Sequence, residues 1–188
     1  MVLEAAHVGK HVLCEKPVAL RQEDAEAMIQ ACDGAGVRFF VCMVVRFFPQ
    51  YRLAKDLVNK GRIGNLAVLR LKRVSYSPRK KVENWYIDET RSGGMIVDLM
   101  IHDFDFARWL GGDVERVFAR RNRSDQGAAE YAQAIGIAQD PYTIEICHAY
   151  DAIRTGKPFD VTAEDALQSL RIALAARESI NTNQPAIL

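Results

Sequence analysis

Residues 11–45 decide the fold: His11-Val12-Leu13-Cys14-Glu15-Lys16-Pro17, a helical segment at 23–35, and Val37-Arg38-Phe39-Phe40-Val41-Cys42-Met43-Val44-Val45. The first piece reads as a short, largely apolar strand. Lys16-Pro17 ends it, because proline cannot donate to a ladder. In the middle piece Ala27, Met28, Ala31 and Cys32 recur at helical spacing, and Gly34-Ala35-Gly36 stops the helix. The third piece is a nearly continuous run of β-type residues, as expected of a strand buried on both faces. Strand, helix, strand in succession is a βαβ unit, and it implies a parallel sheet.

Working outward, residues 1–8 read as the end of a helix that Gly9 stops. Downstream, a helix is expected over 49–59 with Leu53, Leu57 and Val58 inward, then a long strand over 65–76 carrying Leu69, Leu71 and Val74. Residues 77–91 form a polar loop around Trp85-Tyr86, an aromatic pair that serves either packing or a pocket wall. Arg70, Lys72 and Arg73 read as a solvated face. A further strand is expected over 114–121, antiparallel to 65–76, while 122–139 has no clean period. Asp140-Pro141 opens a helix that runs to about 155. Thr162 caps a last helix, with Glu164 and Asp165 in its first turn and Ala166, Leu167, Leu170, Ala173 and Leu174 inward. The tail, 184–188, reads as extended.

The most informative remaining stretch lies at 92–112, where Gly93-Gly94 opens and Gly111-Gly112 closes a mostly apolar run of helical length. On one continuous helix Asp98, His102 and Asp105 fall at i, i+4 and i+7 and share a face. Buried carboxylates and an imidazole need a partner or a task. Three readings stay open at this point: a satisfied structural pair, a metal site, or general acid–base catalysis with a carboxylate orienting the imidazole. No other His/Cys cluster lies near in sequence to complete a metal site, so none is assigned. His7, His11 and His148 read as structural or solvated.

The chain has 188 residues, 49% of them hydrophobic and 26% charged, with a formal net charge of +1. That balance gives no basic footprint for nucleic acid. No apolar run approaches a membrane span, and the first residues lack a signal-peptide pattern. Cys14, Cys32, Cys42 and Cys147 are scattered singly in apolar segments, which reads as reduced, buried thiols of a cytoplasmic protein.

Gly9-Lys10-His11-Val12-Leu13-Cys14-Glu15-Lys16-Pro17 closely resembles a signature of the Gfo/Idh/MocA family, nicotinamide-dependent dehydrogenases of sugars and polyols. Three further landmarks follow in the family's order. They are Arg46-Phe47 with Pro49, Tyr51 and Gly61-Arg62-Ile63-Gly64; Gly93-Gly94 through Asp98, His102-Asp103 and Asp105 to Trp109-Leu110-Gly111; and Ala152-Ile153-Arg154-Thr155-Gly156-Lys157-Pro158 with Val161-Thr162 and Glu164-Asp165. The wording around His102 looks most like inositol dehydrogenases. The resemblance implies an α/β chain, α+β overall. Residues 1–45 would be a remnant of a Rossmann parallel sheet, and 46–188 an antiparallel-sheet substrate and oligomerisation domain with flanking helices. It further implies NAD or NADP as cofactor, a small sugar or polyol substrate, and a homo-oligomer. By position, Lys16 would contact cofactor and substrate at the reacting carbon, His102 would take the hydroxyl proton, and Asp98 would bind the hydroxyl and orient the histidine. Glu15, Lys16, Pro17 and Arg46 would contact cofactor.

Two departures from the family pattern set the alternative. No G-x-G-x-x-G occurs in the 188 residues, so the glycine-rich turn that holds a dinucleotide pyrophosphate is not in this sequence. The chain is expected to begin late in the nucleotide-binding half and to be shortened after residue 121. Many relatives also carry two consecutive arginines where this chain has Val45-Arg46. The competing expectation is therefore a truncated, non-catalytic relative serving as an oligomeric or binding module.

Overall fold

The computed structural model describes residues 1–72, 88–119 and 141–188. Helix α1 (Val2–His7) leads into strand β1 (Val12–Glu15), helix α2 (Gln22–Gly34) and strand β2 (Phe39–Cys42). β1 and β2 pair in parallel, Val12 opposite Phe39 through Glu15 opposite Cys42. This is the βαβ unit expected from residues 11–45. All four residues of β2 are buried, as the continuous apolar run requires. The strand is shorter than expected: after Cys42 the chain tightens into a buried 3₁₀ turn, Val44–Phe47, before helix α3 (Pro49–Asn59).

The second half is mainly helical. Helices α4 (Glu89–Ser92), α5 (Gly94–Asp98) and α6 (Ile101–Gly111) precede strand β3 (Arg116–Val117). Helices α7 (Pro141–Thr155) and α8 (Ala163–Thr182) and strand β4 (Ala186–Ile187) complete it. α8 is the central strut. Thr162 and Asp165 form a reciprocal capping box at its start, which satisfies backbone donors that the first turn would leave orphaned. Its inward face, with Ala166, Leu167, Leu170 and Ala173, packs on α6, α2, α5 and β2. One core therefore runs from Val12, Phe40 and Val41 through Val97 and Ile101 to Leu170.

Four expectations are corrected. Residues 65–72 form no strand: Leu66, Val68 and Leu71 are exposed, and among the described residues they have no ladder partner to hold them extended. β3 pairs instead with the tail, Arg116 opposite Ile187 and Val117 opposite Ala186, antiparallel. In α3 Leu53 is exposed, because the side that docks is carried by Tyr51, edge-on to Phe106, and Lys55, which donates to the Trp109 carbonyl. Finally, Cys147 is exposed on α7, unlike the buried Cys32 and Cys42. Trp85-Tyr86, Arg73, residues 73–76 and residues 122–139 lie outside the described residues. Among those described, no helix is long and apolar enough to cross a membrane.

Candidate active site

The single helix expected over 92–112 is broken, and the break builds the site. Gly93 takes a left-handed conformation (φ 78°) between α4 and α5. A Cβ there would meet the Val97 Cβ at 2.6 Å and a Leu20 methyl at 3.0 Å. Glycine is thus demanded by both conformation and space. At the other end of α5 the amides of Leu99 and Met100 both donate to the Met95 carbonyl. The His102 amide then turns to the Leu99 carbonyl at 3.4 Å. In a continuous helix it would have gone to Asp98. The freed Asp98 carbonyl accepts from the Lys16 ammonium at 2.6 Å, and the Asp98 carboxylate accepts from the same ammonium at 2.9 Å.

Lys16 reaches this point from the C-terminal end of β1, just before the cis Lys16–Pro17 peptide. In open α/β sheets, ligands bind beyond the carboxyl ends of the strands. The ion pair is largely sheltered, the two side chains being 17% and 8% exposed. An ammonium carries three N–H donors. Asp98 occupies two, and among the described residues the third is left to aim at a ligand. His102 is buried in the first turn of α6, four residues after Asp98. The structure thus brings Lys16 and Asp98 into contact and sets His102 one turn beyond them. The Asp98 carboxylate, expected to orient His102, accepts from Lys16 at the strand end.

Arg46 and Asp105 belong to a second constellation. Arg46 sits in the 3₁₀ turn, 3% exposed, and grips the fully buried Asp105 with both arms of its fork: Nε to Oδ2 at 2.8 Å and Nη2 to Oδ1 at 2.6 Å. Ser169 on α8 donates to the same carboxylate at 3.1 Å. Arg46 Nη1 extends to Asp165 at 3.3 Å, and Arg108 closes the network on Asp165 at 2.7 Å. Burial pushes the Asp105 carboxyl up, against the pull of Arg46 and Ser169. Burial also opposes charge on Arg46, but its bonds and attraction to Asp105, then Asp165, outweigh that and hold the guanidinium charged. Asp165 is held below the usual carboxylate range: burial raises it, but Arg46, the Thr162 amide and Arg108 prevail. Arg46, expected to contact cofactor, meets these carboxylates in the structure. Of the other residues expected to contact cofactor, Glu15 is exposed at the end of β1 and Pro17 is half-buried.

Sequence reading missed the Asp98 carbonyl as an acceptor, and it missed Asp165 and Ser169 as partners of Arg46. A signal did exist for the second: an arginine inside the apolar run Val44–Phe48 has to find a buried acid. Among the described residues no group of three or more His, Cys, Asp or Glu side chains could hold a metal ion.

A parallel βαβ unit with a lysine at the carboxyl end of its first strand is a building piece of a Rossmann-type α/β fold, and comparisons with known proteins match the chain to one. Residues 1–43 match the oxidoreductase family with an NAD-binding Rossmann fold, and residues 51–163 match the GFO/IDH/MocA C-terminal domain. The chain belongs to the Gfo/Idh/MocA oxidoreductase family. Myo-inositol 2-dehydrogenase of Thermotoga maritima is 38% identical over 121 residues, covering 63% of this chain and 34% of that protein. A 2,7-anhydro-N-acetylneuraminate hydratase of Mediterraneibacter gnavus is 35% identical over 130 residues, covering 68% of this chain and 34% of that protein. A probable dehydrogenase from Thermotoga maritima superposes with a TM-score of 0.83 at 22% identity, covering 99% of this chain and 76% of that one. The matches to the two curated relatives span about a third of those proteins' length.

Proposed function

We propose that the chain carries the substrate end of an NAD(P)-dependent oxidoreductase that oxidises a secondary alcohol of a sugar or cyclitol of the inositol type. The observation that carries this reading is the Lys16–Asp98 ion pair at the carboxyl end of β1, with His102 buried one turn further on. The residues fit the nicotinamide end of the cofactor: a sheltered ammonium with one donor left, at the strand end where such rings bind. When bound, a nicotinamide dinucleotide supplies the hydride acceptor. The chain's own residues do the rest. Lys16 donates its remaining N–H to the substrate oxygen and steadies negative charge as the O–H weakens. His102 takes the hydroxyl proton. Asp98 fixes the lysine by two bonds, so the cation costs no reorganisation as charge develops. Residues 1–45 serve the cofactor side and 46–188 the substrate side in this reading. The names of the relatives, one a myo-inositol 2-dehydrogenase and one a 2,7-anhydro-N-acetylneuraminate hydratase, support a hydroxylated, ring-shaped substrate.

The test uses the purified 188-residue chain. NADH and NADPH binding is followed by reduced-nicotinamide fluorescence, and reduction of NAD or NADP is read at 340 nm with myo-inositol and a panel of aldoses. Saturable binding and turnover are expected, with Lys16→Met and His102→Gln each lowering kcat by about 10²–10⁴. A folded chain that binds neither dinucleotide would overturn this reading.

A further inference from the structure

We propose that the Arg46–Asp105 pair is a positioning device for His102, fixing the imidazole by anchoring the helix that carries it. The inference rests on the reading of His102 as the proton acceptor. Continuity of a helix would let α5 and the Lys16–Asp98 contact dictate where His102 points. At Leu99–Met100 that continuity is lost: Met95 receives two amides and the His102 amide reaches Leu99 only at 3.4 Å. The orientation of α6 must then be set by what α6 itself touches.

Asp105 lies one turn after His102 on that helix and is completely buried. Its carboxylate receives three bonds from two other elements, two from the Arg46 fork on the 3₁₀ turn and one from Ser169 on α8. A bidentate arginine–carboxylate pair fixes direction as well as distance, because both groups are planar. Further along α6, Arg108 reaches Asp165, which Arg46 also touches, so the far end of the helix is tied to the same guanidinium. Arg46 therefore holds α6 about both its axis and its length. A ring that must meet a hydroxyl within hydrogen-bond reach tolerates little rotation of its helix. The location of Arg46 makes the link between halves direct. The 3₁₀ turn that bears it follows β2, the strand paired with the one that ends in Lys16. One side chain thus references the histidine helix to the sheet that places the lysine.

The test reads His102 itself and needs neither cofactor nor substrate, so it stands or falls separately from turnover. The chain has four histidines, and long-range ¹H–¹⁵N spectra of the full chain resolve the imidazoles, with His102→Gln assigning the one of interest. Arg46→Lys keeps the charge and removes the fork. Asp105→Asn keeps the shape and removes the ion pair. Each is expected to move the titration midpoint of His102 by about half a pH unit or more, or to split its signals into several conformers. His11 is the control for the fold, since its Nδ1 accepts the Arg38 amide between the two strands. An unchanged His102 beside an unchanged His11 in both variants overturns the proposal. Where a variant disturbs His11 as well, Ser169→Ala decides, because it deletes a single bond to Asp105. A displaced His102 signal then supports positioning, and an unmoved one overturns it.

Discussion

Replacing Glu145 by glutamine should change the pH dependence of stability more than that of any surface carboxylate. Glu145 lies on the buried side of α7, 2% exposed, and its Oε1 has no hydrogen-bond partner among the described residues. Among the described residues no cation is paired with it. Burial first, and then the negative charge of Glu15 at the end of β1, push its carboxyl from the ordinary 4.5 up to about 8. Glu145 in turn helps burial to push the Cys42 thiol up to about 12. The folded carboxyl therefore keeps its proton where the unfolded one has lost it. Below pH 4.5 both states are protonated and no penalty exists. Between 4.5 and 8 the folded state binds the extra proton, so stability falls as pH rises, by about 1.4 kcal/mol per pH unit. Above 8 both states are ionised and the penalty levels off near its full value, at most about 5 kcal/mol, with about 3 kcal/mol already lost at pH 7.

Glutamine keeps the shape and cannot ionise, so it should remove that slope. Its amide replaces one imperfectly bonded group by another, at a pH-independent difference of about 1–2 kcal/mol. The informative quantity is therefore the divergence of the two stability curves. Urea unfolding followed by tryptophan fluorescence at pH 5, 6, 7 and 8 should show the Glu145→Gln advantage growing by about 2–4 kcal/mol across that range. A gap that stays constant with pH would refute the reasoning, for it would mean that Glu145 ionises normally in the folded protein.

Other substitutions test other joints of the structure. Gly93→Ala forces a Cβ into a left-handed position already filled by Val97 and Leu20, and should cost about 2–4 kcal/mol in urea unfolding; a loss below 1 kcal/mol would show that the α4–α5 turn yields easily. Thiol labelling at pH 8 should modify exposed Cys147 rapidly and reach buried Cys32 and Cys42 only after denaturant is added. Fast reaction of Cys42 in the native protein would contradict the packing of β2.

How much of this was legible in the sequence depends on whether a local rule or a distant partner decided the outcome. The βαβ unit was legible because hydrophobic period and glycine stops act within a few residues; its register, Val12–Phe39 to Glu15–Cys42, came only with the structure. The cap of α8 was legible for the same reason: Thr162 and Asp165 are three residues apart. The strand expected over 65–76 failed over its described part, 65–72, because β-type composition cannot say where a ladder partner lies, and the partner of β3 turned out to be the tail. The site shows the same division more sharply. Asp98, His102 and Asp105 were identifiable as buried polar residues that need an explanation. Their grouping was not, because helical spacing assigned them one face. A lysine 82 residues away in sequence donates to the Asp98 carbonyl, the acceptor that the His102 amide would use in an unbroken helix. Once the helix breaks, Asp98 turns to Lys16 while Asp105 goes to Arg46. Two long-range cations thus sort the three polar residues that periodicity had placed together. A buried acid in a helical pattern should accordingly be read against every lysine and arginine that the chain places at a strand end or inside an apolar run, before it is read against its neighbours one turn away.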